Sequence, residues 1–364
     1  MKIKKILSFL EQHAPLALQE SYDNSGLLIG DSDEEIKGLL ITVDVTEEVV
    51  EEAISKGCNL IVAHHPVIFT GLKSITGKNF VERVAIKAIK NDIAIYAVHT
   101  NLDSVYNGVS KMICDRVGLK NLKILDPRDN LLKKIVVYCP VDYADKVRDA
   151  IFSAGGGVVG EYDNCSFISN GKGSFRAGEG TDPFVGAKNK LHKENEVKIE
   201  IIFPDYSRNA VIAAMADAHP YEEVAYDILS LENKFDKVGF GMIGELPEEQ
   251  EVDCFLSFLK EKMKTNCIRY NNAKGKKIKK VAVCGGAGSF LINKALSKKA
   301  DVFITGDIKY HEFFEAEDKM VIADIGHFES EQFTKELLYR LISEKFSNFA
   351  LNLSGINTNP VKYL

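Results

Sequence analysis

Four short segments of this 364-residue sequence place imidazole and carboxylate groups directly behind apolar runs. His64-His65-Pro66 follows NLIVA (residues 59–63), and His99-Thr100-Asn101-Leu102-Asp103 follows AIYAV (94–98). Thr305-Gly306-Asp307 runs on to Tyr310 and His311, and Gly326-His327-Phe328-Glu329-Ser330-Glu331 follows VIADI (321–325). Imidazole and carboxylate together suit Zn, Fe, Mn, Co and Ni. His99 and Asp103 are four residues apart, as are His327 and Glu331. A helical turn after each strand would bring both members of a pair to one side. Adjacent histidines on a strand point apart, but where the backbone turns off a strand His64 and His65 can reach two ions. Five or six donors exceed the need of one tetrahedral ion. A two-metal site, with ions ~3.5–4 Å apart and a bridging carboxylate, uses them all, and Asp103 is the natural bridge. His99, Asp307 and His311 lie beside these ligands and are the candidates for moving protons.

Each of these residues has an ordinary role when taken alone. A single histidine at a strand end is more often a hydrogen-bonded structural residue. Asp103 could cap a helix, and Glu331 could sit on a solvated face. The coincidence of four such strand ends is what points to metal. The turn CGGAGS (Cys284–Ser289) could cradle a phosphate on backbone N–H groups. It lacks the third glycine of G-x-G-x-x-G, and the chain has no G-x-x-x-x-G-K-[ST], so it reads first as a tight turn. Tyr22-Asp23-Asn24-Ser25-Gly26 is a turn by composition and could line a pocket.

The elements that must position these groups alternate along the chain. Gly38–Val43, Asn59–Ala63 and Asp92–Val98 read as strands. Glu47–Lys56, with Thr46 as its N-cap, and Phe80–Lys90 read as helices. The last third repeats this grammar: strands at Val281–Cys284, Asp301–Thr305 and Met320–Asp324, and helices at Phe290–Lys298, Ile308–Ala316 and Glu329–Phe346. The two thirds form a diverged internal repeat, with NLIVAHH opposite DVFITGD and IYAVHTNLD opposite VIADIGHFESE. The expected fold class is α/β, with parallel or mixed sheets flanked by helices. Ligands gather at the carboxyl ends of such strands. The middle reads differently, as β-α-β-β-α-β, the ferredoxin-like order. Its segment Gly171–Gly186 is too glycine-rich for regular structure and is expected to be a shaped loop. The implied layout is a split core domain, residues 1–126 and 236–364, with an α+β domain inserted at 127–235.

Composition narrows the function classes. Apolar residues make up 45% and charged residues 27%, the balance of an ordinary globular protein. Lys plus Arg (46) against Asp plus Glu (52) leaves a net charge of −6, which argues against general nucleic-acid binding. No apolar run approaches the ~20 residues of a membrane span. Seven scattered cysteines without C-x-x-C, and a start without a signal-peptide core, lead to the expectation of reduced thiols in a cytoplasm.

Taken together, YDNSGLLIG (Tyr22–Gly30), AHHPVIF (Ala63–Phe69), VHTNLD (Val98–Asp103), TGD with YH (Thr305–His311) and GHFESE (Gly326–Glu331) resemble the GTP cyclohydrolase 1 type 2 homologue family. That family is also called the dinuclear metal centre, Ngg-interacting-factor-like family. The resemblance covers nearly the whole chain. HPYEEVAYDI (His219–Ile228) and GKGSFRAGEGTDPFVG (Gly171–Gly186) resemble the PII/CutA-like insert of its long bacterial members, with Ala177 where that insert usually has Pro. The resemblance implies that His64, His65, Asp103, His327 and Glu331 bind two divalent metal ions, Zn in a purified protein, with Fe or Mn as alternatives. It does not use His99 as a ligand, whereas the internal repeat would make His99 the partner of His327. It further implies a homohexamer built as a toroid, with the metal sites facing an internal cavity. The activity implied is that of a metal-dependent hydrolase acting on a nucleotide or related small molecule. The alternative is a non-catalytic, metal- or effector-sensing protein that uses the PII-like insert.

Overall fold

The β-branched apolar runs of the first hundred residues form short strands that are buried on both faces, as parallel strands covered by helices must be. In the computed structural model, which describes residues 1–272 and 275–364, the chain divides into two units. One is Met1–Pro127 with Lys237–Leu364, and the other is Arg128–Asp236. The early strands are β1 (Gly26–Ile29), β2 (Gly38–Thr42), β3 (Leu60–Ala63), β4 (Ala94–Ala97) and β5 (Lys120–Arg128). The middle strands are β6 (Leu132–Pro140), β7 (Phe167–Arg176), β8 (Leu191–Pro204) and β9 (Tyr226–Ser230). The late strands are β10 (Phe235–Glu251), β11 (Arg269–Tyr270), β12 (Lys277–Ala287), β13 (Val302–Gly306), β14 (Val321–Asp324) and β15 (Ala350–Leu353).

The first unit contains two mixed sheets. One has the order β1-β4-β3-β2-β15, parallel except for β1. The other has the order β11-β14-β13-β12-β10-β5, with β14, β13 and β12 parallel and β11 and β10 antiparallel to their neighbours. Side chains alternate along each strand. Leu39 and Ile41 of β2, with Val302 and Ile304 of β13, enter one cluster shared by both sheets. Helices Ile3–His13, Val109–Val117, Val252–Met263 and Thr334–Lys345 contribute to the same cluster. Leu40 faces the other way, into a second cluster under helices Glu47–Ser55 and Phe80–Lys90. Phe303 faces a third, under helix Ile292–Ser297 and the 3-10 turn Tyr310–Ala316. Each fully buried Leu, Ile or Phe contributes about 1.5–3 kcal/mol relative to exposure. Thr46 caps its helix as expected, accepting from the Val49 N–H at 3.2 Å.

The second unit is an antiparallel sheet of order β7-β8-β6-β9. Helices Ala144–Ser153 and Arg208–Ala218 pack on it around Val147, Ile199, Phe203 and Met215. This is the ferredoxin-like strand and helix order. One local expectation is corrected: Gly171–Gly186 is not wholly a loop. Its first six residues belong to β7, which pairs with β8 as far as Arg176 opposite Leu191. The glycines there are tolerated because the long partner strand supplies the ladder. Gly173 in particular leaves room for the Glu196 carboxylate, which a Cβ would strike.

Two more helix expectations shift. The helix expected over Glu329–Phe346 is two helices, His327–Glu331 and Thr334–Lys345. The one expected over Ile308–Ala316 is 3-10 in character. Among the described residues no helix is long and apolar enough to cross a membrane.

Candidate metal centre

The carboxyl ends of parallel strands from both sheets supply the site. His64 and His65 follow β3. Their N–H groups both donate to the Val43 carbonyl, at 3.1 and 2.9 Å, so the backbone turns off the strand and brings the two rings to one side. The ring centroids are 4.9 Å apart. His99 follows β4 and opens the helical turn Thr100–Asp103. His327 opens the helix His327–Glu331 after β14, which carries Glu331 back under the ring four residues on. Ligand atoms of His64, His65 and Glu331 all lie within 4.8 Å of one another, and this cluster could hold a metal ion.

The wiring of the rings decides what the cluster can do. His64 Nδ1 donates to the Val98 carbonyl at 2.8 Å, which fixes its tautomer, because a carbonyl only accepts. His65 Nδ1 meets Asp44 Oδ1 at 2.7 Å, and His327 Nδ1 meets Asp307 Oδ2 at 2.7 Å. All three rings therefore turn Nε2 inward. His64 Nε2 lies 3.6 Å from Glu331 Oε1 and 3.8 Å from Asp103 Oδ1. Glu331 Oε2 lies 2.9 Å from His65 Nε2 and 3.2 Å from His327 Nε2. The two Nε2 atoms are 3.4 Å apart. His64 Nε2, Asp103 Oδ1 and Glu331 Oε2 are buried without a hydrogen-bond partner. In neutral rings these facing atoms offer only lone pairs, an arrangement that could hold a cation. An Nδ1–H held by a carbonyl or carboxylate, with Nε2 left for metal, is how ligating histidines are usually oriented.

The electrostatics agree. Burial disfavours a charged His65, but Asp44 and Glu331 outweigh it and push the ring up to about 10. Burial of His327 is likewise outweighed, by Glu331 and Asp307, and its ring rises to about 9. Glu331 is buried, yet His64, His327 and His65 hold it well below the usual carboxylate range. Burial raises Asp103. Without an ion, the cluster therefore attracts protons at the same nitrogens that could hold one.

The glycine-rich turn makes room for a carboxylate of the cluster. β12 continues through it to Ala287, with Gly286 at φ +62°. A Cβ on Gly286 would strike Glu331 Oε1. The Gly286 N–H donates to Ser330 Oγ at 2.9 Å, which ties the turn to the helix carrying Glu331. Glycine here gives the carboxylate its space.

Against this geometry the comparisons with known proteins are decisive. The model of Duf34/NIF3 (NGG1p interacting factor 3) matches residues 1–360. The chain belongs to the NIF3 family. A Bacillus subtilis relative called GTP cyclohydrolase 1 type 2 homolog is 39% identical over 370 residues, covering 99% of this chain and 98% of the relative. A Staphylococcus epidermidis relative of the same name is 36% identical, covering 100% of both. The crystal structure of a Bacillus cereus protein related to NIF3 matches with a TM-score of 0.88 at 39% identity, over 100% of this chain and 99% of that one. Reduced HcgD from Methanocaldococcus jannaschii shares the fold, with a TM-score of 0.58 at 21% identity over 98% of each chain.

In this NIF3-family chain the motifs do not reveal every working residue. Asp44, which orients His65, directly follows the apolar run GLLITV. A carboxylate at a fifth strand end is the signal that could have found it. Asp23 of the Tyr22–Gly26 turn meets His99 Nδ1 at 2.8 Å. Asp23 also accepts from Thr100 Oγ1 and Ser25 Oγ, and these bonds with His99 outweigh its burial and hold it far below the usual range. The His99 ring stands edge-on to His64 and His65, with centroids 5.4 and 5.3 Å away. Asp307 reaches the centre through His327. His311 is exposed, and its ring packs on Tyr310 and Phe314.

Proposed function

We propose that the chain is a dinuclear metal-binding protein that acts as a metal-dependent hydrolase on a nucleotide or related small molecule. The observation that carries this reading is the wiring: three imidazoles engage acceptors through Nδ1 and turn Nε2 toward Glu331. His64, His65, Asp103, His327 and Glu331 would hold two divalent ions, Zn, or Fe or Mn, since this donor set accepts all three. Such ions, when bound, lower the pKa of water and polarise an electrophile. Among the proton-moving candidates His99, Asp307 and His311, His99 has the most support, because Asp23 orients its ring beside His64 and His65. Asp307 serves instead to orient His327. The relatives' name makes ring opening of GTP the first reaction to screen.

The same reading takes residues 1–126 and 236–364 as the metal-binding core, 127–235 as a PII-like insert, a cytoplasmic homohexamer as the working assembly, and a small molecule as its ligand. Metal analysis of protein purified from its own host tests the centre. About two ions per chain are expected, falling in His64→Ala and Glu331→Ala. Fewer than one ion in wild type, with variants to match, overturns it. A screen of nucleotides, phosphoesters and amides with metal-reconstituted protein tests the hydrolase. No turnover with any divalent metal overturns that part alone.

One observation favours the sensing alternative. The second unit has a cavity of ≈700 Å³ whose lining includes Tyr138, Phe175, Phe184 and Tyr221. Equilibrium dialysis against nucleotides separates the readings: binding without turnover supports the sensor.

A further inference from the structure

A cavity of ≈460 Å³ opens beside His65 and His327, and Asn359, Pro360, Val361 and Tyr363 form one of its walls. These residues belong to the segment that follows β15. Ser354 Oγ and Gly355 N donate to Glu52. Thr358 Oγ1 donates to Asp44 Oδ2 at 2.6 Å, and Asn359 Nδ2 donates to Glu329 Oε1 at 3.0 Å. Two of these anchors lie inside the wiring of the centre. The other oxygen of Asp44 holds His65 Nδ1. Glu329 is buried on the helix that carries His327 and Glu331.

We propose that Thr358 is a positioning residue of the metal centre, and that through it the segment 354–363 is part of the site rather than a covering. The proposal rests on the metal-binding reading above. The torsion that turns a carboxylate about its Cβ–Cγ bond is broad. With one oxygen on His65 and the other free, Asp44 would swing and carry the imidazole with it. The Thr358 hydroxyl anchors the second oxygen, so the plane of the carboxylate, and with it the direction of His65 Nε2, is set. The anchor comes from 314 residues away in the chain. The wall residues next to it, Pro360, Val361 and Tyr363, are thereby held at the mouth of the same cavity.

The test uses full-length, metal-free protein titrated with Co²⁺ against a competing chelator, with the visible cobalt absorption as a second readout. Thr358→Val removes the hydroxyl and keeps the shape; Thr358→Ser keeps the hydroxyl. Removing a residue that directly orients a ligand typically weakens metal binding 10–100-fold. Thr358 acts one bond further out, so Thr358→Val is expected to weaken cobalt binding about 3–10-fold and shift the absorption band, while Thr358→Ser restores both. In an Asp44→Ala background, which removes both contacts, Thr358→Val is expected to add nothing, because the path runs through Asp44. Wild-type affinity and band in Thr358→Val overturn the proposal, whatever happens to its melting temperature. A full additional loss in the Asp44→Ala background overturns it too. A wild-type chain that takes up no cobalt is a separate failure: it removes the metal reading itself.

Discussion

The two units of this chain each bury a histidine, and the two are wired in opposite ways. His219, in the second unit, uses both ring nitrogens: Nε2 meets the Tyr138 carbonyl at 3.0 Å and Nδ1 accepts from the Tyr221 N–H at 3.1 Å. Burial lowers its pKa. It is a satisfied structural residue. His64 is buried more deeply still, but only Nδ1 has a partner, and its Nε2 faces two carboxylates without one. Burial therefore does not separate a structural histidine from a candidate ligand. What separates them is whether the second nitrogen has a hydrogen-bond partner or is left open toward carboxylates.

The largest effect that could break this comparison lies at Glu331, the carboxylate that all three inward-facing rings share. Glu331→Gln is expected to weaken metal binding by more than about 100-fold, beyond the range for outer partners. Chelator competition reads this, and an unchanged affinity would remove the distinction.

The next largest effect is pH. His65 and His327 are raised to about 10 and about 9 in the metal-free site, above an unfolded value near 6.5. Metal must displace their protons, so its apparent affinity should fall by about tenfold or more per unit as pH drops from 8 to 6. Calorimetry in buffers of different ionisation enthalpy would detect the released protons. The sign for stability runs the other way. Raised pKa values stabilise the metal-free fold fully below about pH 6.5 and are lost as pH rises through 9 to 10. Metal-free protein should therefore melt progressively lower across that window, while loaded protein should not. A flat profile in the metal-free protein would show that the rings are not paired as described.

Asp44→Ala and Asp307→Ala remove the acceptors of Nδ1 and should each weaken metal binding 10–100-fold. His219→Phe is the control. It leaves the Tyr138 carbonyl and the Tyr221 N–H without their partner and is expected to cost about 1–3 kcal/mol in denaturant unfolding. Metal affinity should not move. If it does, the two histidines are not the separate cases their hydrogen bonds make them.

Much of the fold was legible because it follows from periodicity and caps. The run GLLITV became β2, NLIVA became β3, and Thr46 capped the helix it precedes. What failed was local and had a tertiary cause. Gly171–Arg176 reads as a loop by composition, but pairing with β8 makes it a strand. The Cys284–Ser289 segment reads first as a tight turn, but β12 continues through it to Ala287 and Gly286 makes room for Glu331. The candidate site was legible as residue types at strand ends, with Asp307 among them, whereas Asp44 and Thr358 lie outside every motif and their contacts come only from the fold.

The sequence by itself determined that imidazole and carboxylate pairs would stand at the ends of buried parallel strands, since apolar runs and spacing of four are local properties. Only the tertiary structure decided that strand ends from two sheets meet, and which nitrogen of each ring faces inward. A tautomer is set by its hydrogen-bond acceptor, and these acceptors lie far off in the chain: Val98 is 34 residues from His64, Asp44 is 21 from His65, and Asp307 is 20 from His327.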